Sequence, residues 1–213
     1  MEFNIKLLFV ITSMVLNFNA AAKEKISLLA PYDEWYFNFF YPDSLPAEVT
    51  YVELLDTDGI YYQFRTLAST NASPGSVGQW SEKVSGMSSV FNKAKNPPMS
   101  IHFCWDSVID KKEYETWITL AGDVWKLMLT PYSPPGGGSE KYYLRYLLIG
   151  LAPEGKIGVW LEKPDKPNIR LTDKQILIET VSGEKMEMCN GRSAYKHGYS
   201  YPESTKNFIK DKK

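Results

Sequence analysis

Hydrophobic and polar positions alternate along most of the chain, and the alternation is clearest in the middle. Ile101, Phe103 and Trp105 interleave with His102, Cys104 and Asp106, a period of two that predicts a strand with the first three side chains in the core. Residues 113–120 form its hairpin partner, with Tyr114, Thr116, Ile118 and Leu120 on one face and Glu113, Glu115, Trp117 and Thr119 on the other. Two further hairpins are predicted. One joins 48–55 to 60–67 through Asp56-Thr57-Asp58-Gly59, and the other joins 142–151 to 156–161 through Ala152-Pro153-Glu154-Gly155. The segment 34–41 is aromatic on both faces, which predicts a strand covered on both sides and ended by Pro42 and Pro46.

Shorter strands are predicted at 24–29, where Ile26 and Leu28 alternate with polar residues, and at 176–181. One short helix follows residue 120, with Asp123 near its start, Val124, Leu127 and Met128 on one side, and Pro131 stopping it. Residues 68–100 read as an irregular excursion with Trp80 and Phe91 as anchors, and the glycine-rich stretch 134–139 reads as a loop. The fold class is therefore mainly β: an antiparallel β-sandwich or a curled, barrel-like sheet with one short helix. Strands and helices do not alternate as a doubly wound fold requires.

Residues 1–22 read as a signal peptide. Lys6 precedes the apolar stretch Leu7 to Leu16, and Ala20-Ala21-Ala22 offers a cleavage site before Lys23. The competing reading is a buried N-terminal helix or an uncleaved anchor. On the export reading, residues 23–213 form a single β-rich domain in the periplasm or outside the cell. The apolar stretch is shorter than a membrane span of about 20 residues, no later segment would cross a bilayer, and no cysteine follows it to accept a lipid.

Export would place Cys104 and Cys189 in an oxidising compartment, where they are candidates for a disulfide. The alternative is one buried and one exposed thiol. His102, Cys104 and Asp106 project from one strand face, and with Cys189 and His197 they offer zinc-type donors, but the spacing fits no standard zinc motif. Cys104 lies in no cysteine-protease context and Ser107 in no G-x-S-x-G elbow. Asp106, Asp110, Glu113 and Glu115 would supply a glycosidase pair only if two of them converge, and the plainer reading is a charged turn. Neither catalytic residues nor a metal or other cofactor is expected.

Charge narrows the partners. Lys and Arg total 24 against 25 Asp and Glu, without the basic surplus of a nucleic-acid binder. Aromatic residues make up 14% of the chain; most of them are expected to fill the β-core, and the rest are open to a binding surface. Trp80 in the excursion and Tyr195, Tyr199 and Tyr201 in the tail lack core periodicity, which makes them the candidate partner-binding residues.

The block SIHFCWDSVIDKKEYETWITLAGDVWKLMLTP, the segment YYLRYLLIGLAPEGKIGVWL and the tail GYSYPESTKNFIKDKK resemble a bacterial family called domain of unknown function 2931. The features that carry the resemblance are Trp105-Asp106-Ser107, a strand-to-helix passage ending in Trp125, and the hairpin from Leu151-Ala152-Pro153 to Val159-Trp160. Members look like exported proteins of Gram-negative bacteria, several with a lipoprotein signal that this chain lacks. Some appear beside type VI secretion effector genes. The resemblance implies a non-enzymatic, protein-binding module, a periplasmic immunity protein whose partner is a toxic effector, and it carries over no catalytic residue. The alternatives are a small envelope enzyme acting on glycans through Asp106 and Glu113 or Glu115, and an envelope receptor for a small ligand.

Overall fold

The computed structural model describes residues 28–211. The segment read as a signal peptide and most of the strand expected at 24–29 lie outside them, and Leu28 and Leu29 carry no strand. Eleven strands form two sheets among the described residues. The first sheet holds β1 (Trp35–Asp43), β4 (Asn71–Val77), β8 (Tyr146–Ala152), β9 (Lys156–Leu161) and β10 (Ile169–Arg170) in the order β10-β9-β8-β1-β4, with the short β5 (Lys93–Ala94) also on β1. The second holds β2 (Ala47–Asp56), β3 (Tyr61–Phe64), β6 (Pro98–Ser107), β7 (Lys112–Leu120) and β11 (Ile176–Ser182) in the order β11-β7-β6-β2-β3.

The sheets face each other across a core of alternating residues, as the pattern predicts. Ile101, Phe103 and Trp105 of β6 are buried, as are Tyr114, Ile118 and Leu120 of β7. They meet Trp35, Phe37 and Phe39 of β1 and Leu147, Ile149 and Leu151 of β8, and the Phe39 and Phe103 rings lie 5.1 Å apart. Helix α1 (Gly122–Leu129) adds Val124 and Met128 to the same core. At the Asp56-Gly59 turn, the fully buried Asp56 accepts N–H bonds from Asp58 and Ile60, both at 2.9 Å, and Gly59 takes φ 82°. That left-handed position is one glycine occupies without a Cβ clash.

Several expectations need correction. The second sheet is antiparallel, but the first is mixed, because β1 runs parallel to both β4 and β8. The chain leaves β1, builds most of the second sheet and α1, and returns as β8 in the same direction, a route that only a long connection permits. The sheets do not close into a barrel. Pro42 lies inside β1, opposite Ser73. The 68–100 excursion contributes β4 and β5 and the first residues of β6. A second helix, α2 (Glu203–Lys210), ends the described tail.

The outer face of each sheet is covered by an irregular segment. Phe40, Leu148 and Trp160 on the first sheet lie under Trp80 and Val84. Gly150 and Gly158 are register partners there. A Cβ on Gly150 would come within 2.8 Å of the Trp80 indole nitrogen, and one on Gly158 would collide with Trp160. On the second sheet Tyr51 and Cys104 pack under Met186 and Cys189 of the tail.

Candidate functional site

The polar face of β6 and β7 holds most of the residues to which the sequence assigns chemistry, and the tail occupies it. Cys104 and Cys189 are joined by a disulfide, with Cα atoms 5.3 Å apart. The bond spans 85 residues of sequence, so in the chain-entropy account it contributes roughly 4–5 kcal/mol. Glu115, fully buried beside it, accepts backbone N–H bonds from Glu187 at 2.8 Å, Cys189 at 3.1 Å and Met188 at 3.1 Å, and pairs with His102 Nε2 at 2.7 Å. Burial alone would raise its pKa, but the donors from Cys189, Met188, His102 and Glu187 outweigh burial and hold the carboxyl below its ordinary value.

Asp106 is the second anchor. Also fully buried, it accepts Ser193 Oγ at 2.7 Å, the Ala194 N–H at 2.8 Å and the Tyr199 hydroxyl at 2.6 Å. Tyr195 stacks on Tyr199 at 4.9 Å, and the Tyr201 hydroxyl donates to the Ile109 carbonyl at 3.3 Å. Burial, and then the bond to Asp106, raise the Tyr199 phenol well above its usual pKa. The three tail tyrosines are thus half-buried against their own sheet. Trp80 is half-buried too, edge-on to Trp160 at 5.6 Å and donating to the Leu151 carbonyl at 3.3 Å.

The chemical candidates are brought together only in part. His102 and Glu115 meet, whereas Cys104 is taken by Cys189, and His197 is exposed on the tail. Asp106 stands opposite Glu48 and Glu113 in the strand register. Among the described residues no three His, Cys, Asp or Glu side chains gather in a way that would hold a metal ion. Of the carboxylates of the glycosidase alternative, Asp106 and Glu115 take most of their hydrogen bonds from the tail, which covers both, while Glu113 Oε2 is buried without a hydrogen-bond partner among the described residues.

The placing of Glu48 beside Asp106 carries an electrostatic cost. Burial, and then the charge of Asp106, raise the pKa of Glu48. A raised folded-state pKa means stability that is present at low pH and lost as pH rises through that pKa. Glu48→Gln removes the charge and should raise the urea midpoint at pH 7, by less than about 1 kcal/mol at this half-exposed position. The gain should vanish below about pH 4, where the wild-type carboxyl is protonated in both states. Equal midpoints at pH 7 would show that Glu48 carries no such strain.

On the opposite side lies a feature the sequence pattern missed, an open cleft of about 1010 Å³. Tyr32, Tyr142, Tyr143, Arg145, Tyr146 and Glu162 line it, with Pro134 and Gly138 of the glycine-rich loop on one wall and Gly86 on another. Its tyrosines are braced by neighbours. Tyr143 lies 5.3 Å from Tyr32, Tyr146 stacks on Tyr36 at 5.2 Å, and Tyr142 on Tyr132 at 5.6 Å. Within the segment YYLRY only Leu144 is buried, and the other four side chains line the cleft. Because both strand faces contribute, no period-two pattern marks the site.

Beside the cleft the 78–92 loop is pinned at several points. The Gly86 N–H donates to Glu162 at 2.8 Å, Asn38 and Met87 exchange two hydrogen bonds, and Ser88 meets the Tyr146 hydroxyl at 2.7 Å. Met87, Val90 and Phe91 are exposed by 56, 75 and 45%. The result is an apolar rim on a fixed backbone.

One mixed and one antiparallel sheet, a tail clasped by a buried disulfide and two buried carboxylates, and a tyrosine-lined cleft with an apolar rim together make a β-sandwich with one outer face covered by its tail and an open aromatic cleft. The sequence profile described as "Protein of unknown function (DUF2931)" matches residues 19–213, and the chain belongs to that family. No curated protein and no solved structure matches it.

Proposed function

We propose that this protein is an exported, non-enzymatic binding protein that neutralises a toxic protein effector, acting in the periplasm after removal of residues 1–22. The observation that carries the reading is the rim of Met87, Val90 and Phe91, held by paired hydrogen bonds next to an aromatic cleft. Large apolar side chains on a rigid, exposed loop beside aromatic pockets are how protein-binding surfaces concentrate affinity. The type VI connection is supported by the family resemblance, and the absence of a helix long and apolar enough to cross a membrane among the described residues fits a protein released from its signal.

The test has two parts. Deleting the gene should sensitise cells to an effector encoded beside it, and the chain recovered from the envelope should begin at Lys23 by mass spectrometry. With that effector in hand, Val90→Asp combined with Phe91→Ala should cost at least about 2 kcal/mol of binding and leave the urea midpoint nearly unchanged, since both side chains are exposed. A deletion strain indifferent to every neighbouring effector removes the reading. Full affinity in the double variant moves the interface off the rim.

A further inference from the structure

We infer that the tyrosine cleft receives an acidic peptide segment of the partner, with Arg145 taking its carboxylate; the inference rests on the binding-protein reading above. Arg145 immediately precedes β8, and its backbone is fixed because its carbonyl accepts the Tyr36 N–H at 2.7 Å. Its side chain lines the cleft, half-buried, with no carboxylate within ion-pair distance among the described residues.

Two acids around Arg145 are engaged elsewhere. Glu34, whose carboxyl feels the Arg145 charge, is closed by Lys93 at 2.6 Å. Glu162 is used by Lys166 and the Gly86 N–H, both at 2.8 Å. Glu140 sits exposed on the lining beside Lys141, whose ammonium donates to Ser133 at 2.7 Å.

The cleft therefore keeps donors without an acceptor within reach, while Glu140 on the same lining faces solvent. Besides the guanidinium, the Tyr32 hydroxyl is buried without a hydrogen-bond partner among the described residues, in a phenol whose pKa burial raises and Arg145 lowers. A buried donor left unpaired is costly, and since this oxygen has no exposed surface, the half-buried guanidinium of Arg145 is the donor an incoming acceptor meets. A planar guanidinium fork takes a carboxylate through two parallel hydrogen bonds. Tyrosine and proline walls would then cover the apolar stem and backbone beside that carboxylate. The cleft is open and at the upper end of small-ligand volumes, which suits a stretch of chain passing through it better than one small acid.

The test is titration of the 15N-labelled chain, residues 23–213, with blocked peptides, followed through amide shifts. Blocked tetraglutamate should bind in low salt, shift amides of 140–146 and Gly86, and weaken as salt is added. Arg145→Gln should lower its affinity about ten-fold, and Arg145→Lys, which keeps the charge without the fork, by less. Arg170→Gln, at a cation that lies over the Trp80 and Trp160 rings, should leave it unchanged.

Equal binding of tetraglutamine or tetralysine, shifts confined to other residues, or undiminished affinity in both Arg145 variants would overturn the assignment. So would equal binding of free sodium glutamate at matched carboxylate concentration, or tighter binding of tetragalacturonate, which would make the site one for small acids or acidic glycans. If Arg145→Gln still binds the effector at full affinity, the cleft assignment fails and the binding-protein reading stands. If the unaltered chain binds tetraglutamate but no neighbouring effector, the reverse holds.

Discussion

Trp105→Ala should destabilise the protein by about 3–5 kcal/mol. Trp105 is 1% exposed, stacks on Tyr114 at 4.7 Å and donates its indole N–H to Thr116 Oγ1 at 2.9 Å. It sits on β6 between Val49 of β2 and Tyr114 of β7, so the void would open in the middle of the second sheet, where neighbours on both sides are fixed by strand pairing and cannot collapse into it. Trp105→Phe keeps much of the ring and loses one hydrogen bond, and should cost roughly half as much or less. The measurement is the urea midpoint at constant m-value. An unchanged midpoint for the alanine variant would mean that this side of β6 does not face the core.

The second large effect concerns Glu115. Replacing it by alanine strips the acceptor from three backbone N–H groups of 187–189 and from His102. Since these donors remain at least partly buried, the expected loss is about 3–5 kcal/mol at pH 7. The pH dependence has a definite sign. The folded-state pKa of Glu115 lies below its ordinary value, so its contribution is present above the unfolded pKa of about 4.3 and lost as pH falls through the lower folded value. The stability gap between wild type and Glu115→Gln should therefore narrow on acidification through that window. A gap that stays constant down to about pH 2.5 would show that the 187–189 backbone does not hold the charged form.

What the sequence made legible follows from how local each signal is. The alternation of β6 and β7 survives because one face meets the core and the other stays polar, and the Asp56-Gly59 and Pro153-Gly155 turns carry their own chemistry. β4 was hidden because Asn71-Ala72-Ser73-Pro74-Gly75-Ser76-Val77 has the composition of a loop. Its strand character comes from lying along β1 with Ser73 and Ser76 buried, which is tertiary context overriding propensity. Helix α2 was hidden for a related reason, since its only fully buried residue is Thr205, bonded to the Ser44 carbonyl at 2.8 Å. The direction of β1 relative to β4 and β8 depends on connections, which no period encodes.

The candidate sites divide along the same line. Asp106 and Glu115 drew notice as acids on a strand face, but their partners stand 72–93 residues later, and nothing local marks a carboxylate as a backbone acceptor. The tail tyrosines were singled out for lacking periodicity. In the structure Tyr195 and Tyr199 stack on each other, Tyr199 also donates to Asp106, and Tyr201 donates to the Ile109 carbonyl under Lys111, and such contacts need no period. Arg145 attracted no attention because a lone arginine among tyrosines is ordinary composition, and only the position of Glu34, Glu162 and the Tyr32 hydroxyl around it makes it unusual.

The tail clasp also fixes an order of events during synthesis. Strands β6 and β7 are made long before residues 186–199, yet Asp106 and Glu115 receive most of their hydrogen-bond donors from that last stretch. Until it emerges, the two carboxylates must stay hydrated, and the outer face of the second sheet remains wet and only loosely held. A nascent chain that has not yet added residues 186–199 is consequently an open molecule, and the full set of contacts becomes available only once that stretch has emerged.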